Sequence, residues 1–202
     1  MKELNTITIE NDEKFLRQIS KPIIFPDENL KEDIKVLEEY FKKSDITLAL
    51  AAVQLGIPKR LIYLKNTDLE LLNRKNNDQE TEMDKLHNEQ RILINPVIIS
   101  KEGITDYWEA CASCLDNLGH VKRPYKIEVE YQDIKGNIHK DIFEGFESTV
   151  LSHEIDHLNG ILHMDIADEV LNMTTEERKE FRKTHGYNIL FKTGDFDELL
   201  KR

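Results

Sequence analysis

Apolar residues recur along the chain with two different periods, which predict a mixture of helices and strands. Residues 28–43 carry apolar side chains at helical spacing, at Leu30, Ile34, Leu37 and Phe41. This spacing predicts an amphipathic helix. A Pro-Asp pair just before it supplies a turn and a candidate N-cap. The apolar face of this helix is expected to pack in the core.

The next apolar segment is short and almost free of polar residues. It runs from Ile46 to Leu55 and is closed by Gly56 and Pro58. Its many Ala and Leu residues predict a closely buried helix. Gln54 is polar and lies at the end of this segment, where a buried amide must find hydrogen-bond partners. Gln54 is therefore conspicuous.

Strand patterns occupy the middle of the chain. Continuous apolar runs predict buried strands at 61–64 and 92–99. Between 127 and 131, apolar and acidic residues alternate with the period of a half-buried strand. A turn at 133–137 and a second run at 139–143 complete a predicted hairpin.

Helices are predicted again toward the C-terminus. One begins at about Phe146 and ends near Asn159-Gly160, where the glycine suits a left-handed C-cap. Another follows Thr174-Thr175, whose spacing to Glu177 is that of a capping box. The tail from residue 196 to residue 202 is predicted to form a final short helix or to fray.

Together these elements predict one α+β domain over residues 1–202, with mixed or antiparallel strands packed around a central helix. Residues 66–90 are polar and charged, with few large apolar side chains. We expect them to form an exposed insertion. Residues 174–202 are expected to form a helical extension at the C-terminus.

Composition narrows the function classes. The 202 residues carry a net charge of −11, which argues against general nucleic-acid binding, although Lys122-Arg123 is a small basic patch. No apolar run is long enough to span a bilayer, and the N-terminus lacks the apolar core of a signal peptide. Two cysteines three positions apart are a poor disulfide framework. We therefore expect a cytoplasmic protein that binds neither membranes nor nucleic acid.

The segment His153-Glu154-Ile155-Asp156-His157 carries the strongest chemical signal. On a helix, the HExxH pattern places two imidazoles one turn apart on the same face, with a carboxylate between them. Such a set can hold a divalent metal ion and keep a base beside the water that the ion activates. Metal-assisted hydrolysis is therefore the first hypothesis.

A catalytic metal ion usually has three protein ligands, so one more ligand is needed. Downstream of the motif, the candidates are His163, Asp165 and Glu169. Gly160 and His163 come close to the H-x-x-G-x-x-H extension of one protease class, which keeps a metalloprotease among the alternatives. Upstream, a thiolate beside two histidines would hold zinc or ferrous iron. Spacing alone does not choose between the two upstream candidates, Cys111 and Cys114.

Three segments, in this order, resemble the peptide deformylase family. The family patterns G-x-G-L-A-A-x-Q, E-G-C-L-S and Q-H-E-x-D-H-x-x-G correspond to T-L-A-L-A-A-V-Q at 47–54, E-A-C-A-S at 109–113 and S-H-E-I-D-H-L-N-G at 152–160. With its flanking residues, the resemblance covers about residues 20–168, the insertion excluded. Three ordered motifs are far more specific than one, and the chain is identified as a divergent member of this family.

The resemblance implies the ligands and the reaction. Cys111, His153 and His157 would bind one divalent metal ion, natively Fe(II) and experimentally also Zn(II). The implied hydrolase removes the N-formyl group from the N-terminal methionine of nascent polypeptides close to the ribosome, as a step of protein biosynthesis. The formylmethionyl peptide is the implied partner.

The resemblance also assigns catalytic roles. Glu154 would take a proton from the attacking water and pass it to the leaving amine. The side-chain amide of Gln54 and the backbone N–H of Ala112 would stabilise the negative charge that develops on the formyl oxygen. Substrate binding is assigned to four further residues, Ala49, Glu109, Ala110 and Arg123. Among these, Arg123 could pair with Glu109 and brace the loop.

The sequence departs from the family patterns around the expected substrate site. The glycines of the first two motifs are replaced by Thr47, Ala49 and Ala110. Because glycine allows close approach of backbone and ligand, the added side chains are expected to narrow the pocket. Ala112 and Ser152 replace a leucine and a glutamine. Two alternatives follow: a divergent hydrolase acting on another N-acyl or formyl substrate, and a non-catalytic metal-binding member.

Overall fold

The structure is a computed structural model that describes residues 5–43, 47–65 and 90–201. The side chains of Lys65 and Gln90 are not included in this description. The predicted insertion at 66–90 therefore lies outside the described residues except for the backbone of Gln90, which begins a strand.

Helices and strands alternate irregularly along the described chain. The α-helices, numbered α1 to α6, are Ile9–Leu16, Leu30–Phe41, Phe146–Leu158, His163–Ile166, Thr175–Phe181 and Phe196–Leu199. The strands, numbered β1 to β8, are Ala49–Ala51, Leu61–Lys65, Gln90–Ala110, Asn117–Arg123, Lys126–Gln132, Ile138–Glu144, Glu169–Asn172 and Asn188–Asp195. Short 3-10 turns occupy Ala52–Leu55 and Ala112–Cys114.

All eight described strands belong to one antiparallel sheet, and the long strand β3 is its centre. The path runs β1-β2-β3-β4-β7, while β5 and β8 also pair with β3, and β6 pairs with β5. Within β3, residues 90–94 pair with β2, and the last residues, 105–110, pair with β4. One strand thus connects the apolar centre of the sheet to the segment that precedes Cys111.

Helix α3 packs against one face of this sheet. Leu151, Ile155 and Leu158 of α3 share an apolar cluster with residues of β1, β2, β3, β5 and β6. A second cluster joins α2 to β2 through Leu37, Phe41 and Tyr63. The alternation of strand β1 divides its residues between the clusters, so Ala49 and Ala51 face α3 while Leu50 faces α2. The HExxH helix is therefore central, as predicted.

Most predicted elements are confirmed. The helix predicted at 28–43 is α2, the strands predicted at 61–64 and 127–131 are β2 and β5, and the hairpin partner is β6. Helix α3 begins at Phe146, and α5 has the predicted capping box between Thr174 and Glu177. The α+β class is confirmed as well.

Two predictions are wrong in part. The apolar segment ending at Leu55 is not one helix, because Ala49–Ala51 is a strand and only Ala52–Leu55 turns, as a 3-10 helix. The extension after Thr174 is not wholly helical either, because Asn188–Asp195 forms β8 beside β3. In both cases pairing with a neighbouring strand, which sequence periodicity does not encode, decides the local structure.

Among the described residues, no helix is long and apolar enough to span a membrane.

Gly160 closes the turn after α3 and is predicted to be intolerant of substitution. Its φ is +73°, and a Cβ built there would lie 2.2 Å from the carbonyl oxygen of Arg17. Gly160→Ala is expected to lower the free energy of unfolding by about 1–3 kcal/mol, because left-handed backbone is costly for alanine and Arg17 must move. Urea unfolding measures this. Gly186→Ala, with its nearest neighbouring atom 4.0 Å away, is the control, and equal effects of both would contradict the prediction.

Candidate metal centre

Three predicted ligands meet beside the sheet. The Sγ of Cys111 lies 3.2 Å from the Nε2 of His157, which lies 3.2 Å from the Nε2 of His153. The three donor atoms all lie within 4.8 Å of one another. They come from two elements, since Cys111 follows β3 and both histidines lie on α3. The i, i+4 spacing places the two imidazoles on one helix face, as predicted.

This set fits a divalent transition metal ion. A tetrahedral ion with Zn–N bonds of about 2.0–2.1 Å would hold two nitrogens about 3.3 Å apart, close to the separation of the two Nε2 atoms. One thiolate and two imidazoles are ligands that suit zinc and iron. Three protein donors leave a fourth position for water or substrate. The residues present therefore fit a catalytic ion rather than a closed structural one.

Glu154 lies on the same helix between the two histidines, and it is 6% exposed. One carboxylate oxygen, Oε2, accepts a hydrogen bond from the backbone N–H of Ala51 at 2.7 Å. Burial raises the pKa of Glu154 to about 7, and its neighbours His153 and Cys111 act in opposite directions on it. A carboxyl group with a pKa near neutrality can both accept and release a proton at physiological pH.

Gln54 connects the short segment after β1 to the metal centre. Its Oε1 accepts from the backbone N–H of Ala51 at 3.0 Å. Its Nε2 donates to the Sγ of Cys111 at 3.4 Å and to the Oγ of Ser113 at 3.2 Å. Gln54 is 2% exposed. Its buried side-chain amide has the hydrogen-bond partners that burial requires, and these partners belong to the site itself.

A buried ion-pair network holds His153 from behind. The Nδ1 of His153 lies 2.8 Å from the Oε2 of Glu109. Arg123 donates to both oxygens of Glu109, from Nε at 2.8 Å and from Nη2 at 3.0 Å, and its Nη1 donates to Asp156. A carboxylate on the far nitrogen fixes the orientation of a ligating imidazole. The predicted pairing of Arg123 with Glu109 is confirmed.

The charge state of Glu109 is expected to make the stability of the metal-free protein depend on pH. Burial alone would raise the pKa of Glu109, but Arg123 and His153 outweigh burial and hold this pKa well below its ordinary value. A carboxyl group with a depressed pKa in the folded state stabilises the protein above its unfolded-state pKa, and this stabilisation is lost as the pH falls. The free energy of unfolding should therefore decrease as the pH falls below about 4.3, the ordinary pKa of a glutamate.

Urea unfolding of the metal-free protein between pH 7 and pH 3 measures this decrease. Glu109→Gln is the matched control, because it lacks the titrating group and should show a shallower loss over the same range. Equal pH dependence in the two proteins would contradict the assignment of the effect to Glu109.

The other candidate ligands lie elsewhere. Asp165 pairs with Arg17 through both oxygens, at 2.8 and 3.0 Å, and Glu169 is exposed on β7. His163 is buried, with its ring 5.7 Å from the ring of His153, but it is not part of the donor cluster found among the described residues. Cys114 is fully buried and shares an apolar cluster with Cys111, but among the described residues it is not part of the donor cluster. The geometry therefore favours Cys111 over all of these.

The predicted substrate residues differ in position. Ala49 is buried in the cluster that faces α3. Ala110 ends β3, next to Cys111, and pairs with Leu118. Ala112, whose N–H is predicted to act in catalysis, is exposed and is the first residue of the following 3-10 turn. Glu109 and Arg123 are 4% and 5% exposed and bind each other. Their burial favours bracing over contact with a substrate, and the substrate roles of all these residues stay predictions.

Sequence reasoning missed three contributors to the site. These are Asp156, which shares Arg123 with Glu109, Ser113, which accepts from Gln54, and the backbone N–H of Ala51, which donates to Glu154. Asp156 lies inside the HExxH motif, so the sequence already offered an acidic residue there that could pair with a basic partner. The backbone donor carries no residue-type signal at all, because every non-proline residue has an N–H.

Comparisons with known proteins agree with one another. A family model described as polypeptide deformylase matches residues 5–173. The peptide deformylase of Bradyrhizobium diazoefficiens is 36% identical over 157 residues, which are 76% of this chain and 82% of that protein. The crystal structure of peptide deformylase from Thermotoga maritima has 28% identity and a TM-score of 0.66, over 82% of this chain and 98% of that one.

A further crystal structure is that of a peptide deformylase from Synechococcus elongatus in complex with actinonin. It has 28% identity and a TM-score of 0.68, and the match covers 91% of this chain and 88% of that one. The residues matched by the family model include all three motifs and the donor cluster. The chain therefore belongs to the polypeptide deformylase family.

Proposed function

We propose that this protein is a peptide deformylase, a metal-dependent hydrolase that removes the formyl group from the N-terminal methionine of newly made polypeptides. The observation that carries the proposal is Glu154 beside a three-donor cluster of Cys111, His153 and His157, in a chain of this family. A purely structural site has no use for a base and is usually closed by four ligands. The products are formate and a free α-amine.

The metal ion would be held by Cys111, His153 and His157, with Fe(II) as the proposed native ion and Zn(II) as a substitute. When bound, the ion would supply Lewis acidity to the formyl group and to water. The mixed thiolate and imidazole set supports either ion. Glu109 would keep the imidazole of His153 oriented through its contact at Nδ1.

Glu154 would move the protons of the reaction. Its carboxylate, which lies beside the donor cluster, can take a proton from the attacking water and then give it to the amine nitrogen as the C–N bond breaks. The hydrogen bond from Ala51 leaves the second oxygen, Oε1, for this transfer. One residue thus serves both half-steps.

Gln54 and Ala112 would stabilise the formyl oxygen as it becomes negative. The amide nitrogen of Gln54 donates to Cys111 and Ser113. When substrate binds, the formyl oxygen would replace Ser113 as the acceptor of the second hydrogen bond. The N–H of Ala112, directly after the ligand Cys111, would be the second donor. Ala110 and Ala49 would limit the space for the methionine side chain.

We also propose a cytoplasmic location, nascent chains near the ribosome as the substrate source, and no binding of membranes or nucleic acid. The net charge of −11 supports the last point, because a general affinity for phosphates requires a positive surface.

The proposal is tested with the purified Fe(II) form and the peptide formyl-Met-Ala-Ser. Formate and the new α-amine are expected to form in equal amounts. Acetyl-Met-Ala-Ser, assayed beside it, identifies a divergent hydrolase if it is the better substrate. Metal-loaded protein that releases no acyl group would overturn the proposal and favour a non-catalytic member, and cleavage of an internal peptide bond would indicate a protease.

A further inference from the structure

The segment after residue 173 lies outside the family match but packs directly against the loop that carries Cys111. The match ends at 173, and helix α5 follows at Thr175–Phe181. The segment from Glu109 to Leu115, here called the ligand loop, begins with the last two residues of β3 and contains Cys111, the N–H of Ala112 and the Gln54 partner Ser113. Two arginines of the C-terminal segment, Arg178 and Arg182, reach the two ends of this loop.

Each arginine holds one carbonyl oxygen. The Nη1 of Arg178 donates to the carbonyl of Leu115 at 2.7 Å, and the Nη2 of Arg182 donates to the carbonyl of Trp108 at 2.7 Å. The two arginines are four positions apart, which places them on one face of the helix and its C-cap. Trp108 immediately precedes the loop and Leu115 ends it, so the two contacts span the loop.

Further contacts fix the same two ends. Phe181 packs edge-on against the indole of Trp108 at 5.1 Å, and the guanidinium of Arg182 lies 5.0 Å from the ring centre of Tyr107. Leu115 has a φ of +57°, a backbone conformation that a leucine keeps only when its surroundings impose it. The carbonyl contact from Arg178 is one such constraint.

Arg182 is partly withdrawn from water to make this contact. Its Nε is buried without a hydrogen-bond partner among the described residues, and burial lowers its pKa. Burying a charge in this way costs free energy. The neighbouring lysines of the helix, Lys179 and Lys183, remain exposed and pair with Glu176 and Glu180. Of the four basic side chains in the helix and the two residues after it, two thus contact the ligand loop or the residue before it and two lie in solvent.

We propose that Arg178 and Arg182 are positioning residues that clamp the ligand loop and thereby fix Cys111 and the Ala112 N–H against the two histidines. The inference rests on the proposed metal site and adds to it a part that the family match does not cover. Neither arginine is proposed to touch the substrate. They act through the loop backbone, as outer contacts of a metal site do when they orient its ligands.

The test compares Arg178→Gln and Arg182→Gln with Lys179→Gln and Lys183→Gln. All four changes remove one positive charge from residues 178–183, but only the first pair faces the loop. Each protein is loaded with Co(II), whose thiolate charge-transfer band in the near ultraviolet and visible ligand-field bands report the geometry at Cys111. Metal affinity is measured by competition with a chelator, and folding by circular dichroism.

The arginine variants are expected to shift or weaken the thiolate band and to bind Co(II) about 10–100-fold more weakly, while the lysine variants stay within about twofold of wild type. Arg182→Lys should restore only part of the affinity, since an ammonium lacks the planar fork of a guanidinium. If Arg178→Gln or Arg182→Gln fails to fold, Arg178→Lys or Arg182→Lys takes its place in the same two measurements. Bands and affinities equal to those of the lysine-position controls would overturn the clamp.

The two proposals fail separately. Wild-type protein that binds Co(II) but, in its Fe(II) form, releases no formate would overturn the proposed activity, while the spectra would still decide the clamp. Wild-type protein that gives no thiolate band would overturn Cys111 as a ligand, and the clamp with it.

Discussion

Glu154→Gln is expected to lower the rate of formate release by about 10²–10⁴-fold, the usual contribution of a general acid–base group. The side chain keeps its size and can still accept from Ala51, but it can neither take a proton from water nor return one to the amine. Because Glu154 is not one of the three donors, the metal content should remain that of wild type. Steady-state kinetics with formyl-Met-Ala-Ser and metal analysis measure the two quantities.

Glu144→Gln is the matched control, since it changes a half-exposed carboxylate at the end of β6. Its rate should equal that of wild type. A Glu154→Gln enzyme that retains more than about a tenth of the wild-type rate with full metal content would show that another group moves the proton.

Arg123→Met is expected to lower the free energy of unfolding by about 3–5 kcal/mol, the range seen when one partner of a buried ion pair is removed. Arg123 and Glu109 have side-chain exposures of 6% and 4%. Without the guanidinium, the carboxylate of Glu109 would be left with His153 alone, and Asp156 would lose its partner. Urea unfolding of the metal-free protein measures the loss.

Lys122→Met is the control. Lys122 is the neighbour of Arg123 in the sequence and makes an exposed pair with Asp168, with side-chain exposures of 38% and 56%. A pair of this kind contributes about 0–1 kcal/mol. Arg123→Met should also weaken metal binding, because Glu109 orients His153. A loss of stability no larger than that of Lys122→Met would mean that the buried network does not stabilise the fold.

Much of the site could be predicted from the sequence because its chemistry is concentrated in short motifs. His153, Glu154 and His157 are fixed by helical spacing alone. Cys111 could be preferred over Cys114 only through the resemblance to a family, since both are buried and close in sequence. The structure distinguishes them by contact: the Sγ of Cys111 lies 3.2 Å from the Nε2 of His157, whereas Cys114 is not part of the donor cluster found among the described residues.

The rest depends on long-range packing. Strand β3 was predicted only over its first half, at 92–99, because the part that ends at Ala110 contains charged and small residues with no clear alternation. Its partners β4 and β8 hold that part in the sheet. The contacts of Arg178 and Arg182 with the ligand loop join residues more than sixty positions apart, and no local pattern encodes such a contact.

The hydrogen bonds around Gln54 and Ala51 also have a consequence for the order of folding. Ala51 bonds to Glu154 across 103 positions, Gln54 to Cys111 across 57, and Cys111 meets His157 across 46. We expect such distant contacts to form late, because long loops must close before their contacts are gained. A chain still emerging from synthesis has no metal site until α3 has docked on the sheet. Uptake of the ion would therefore mark the completion of folding.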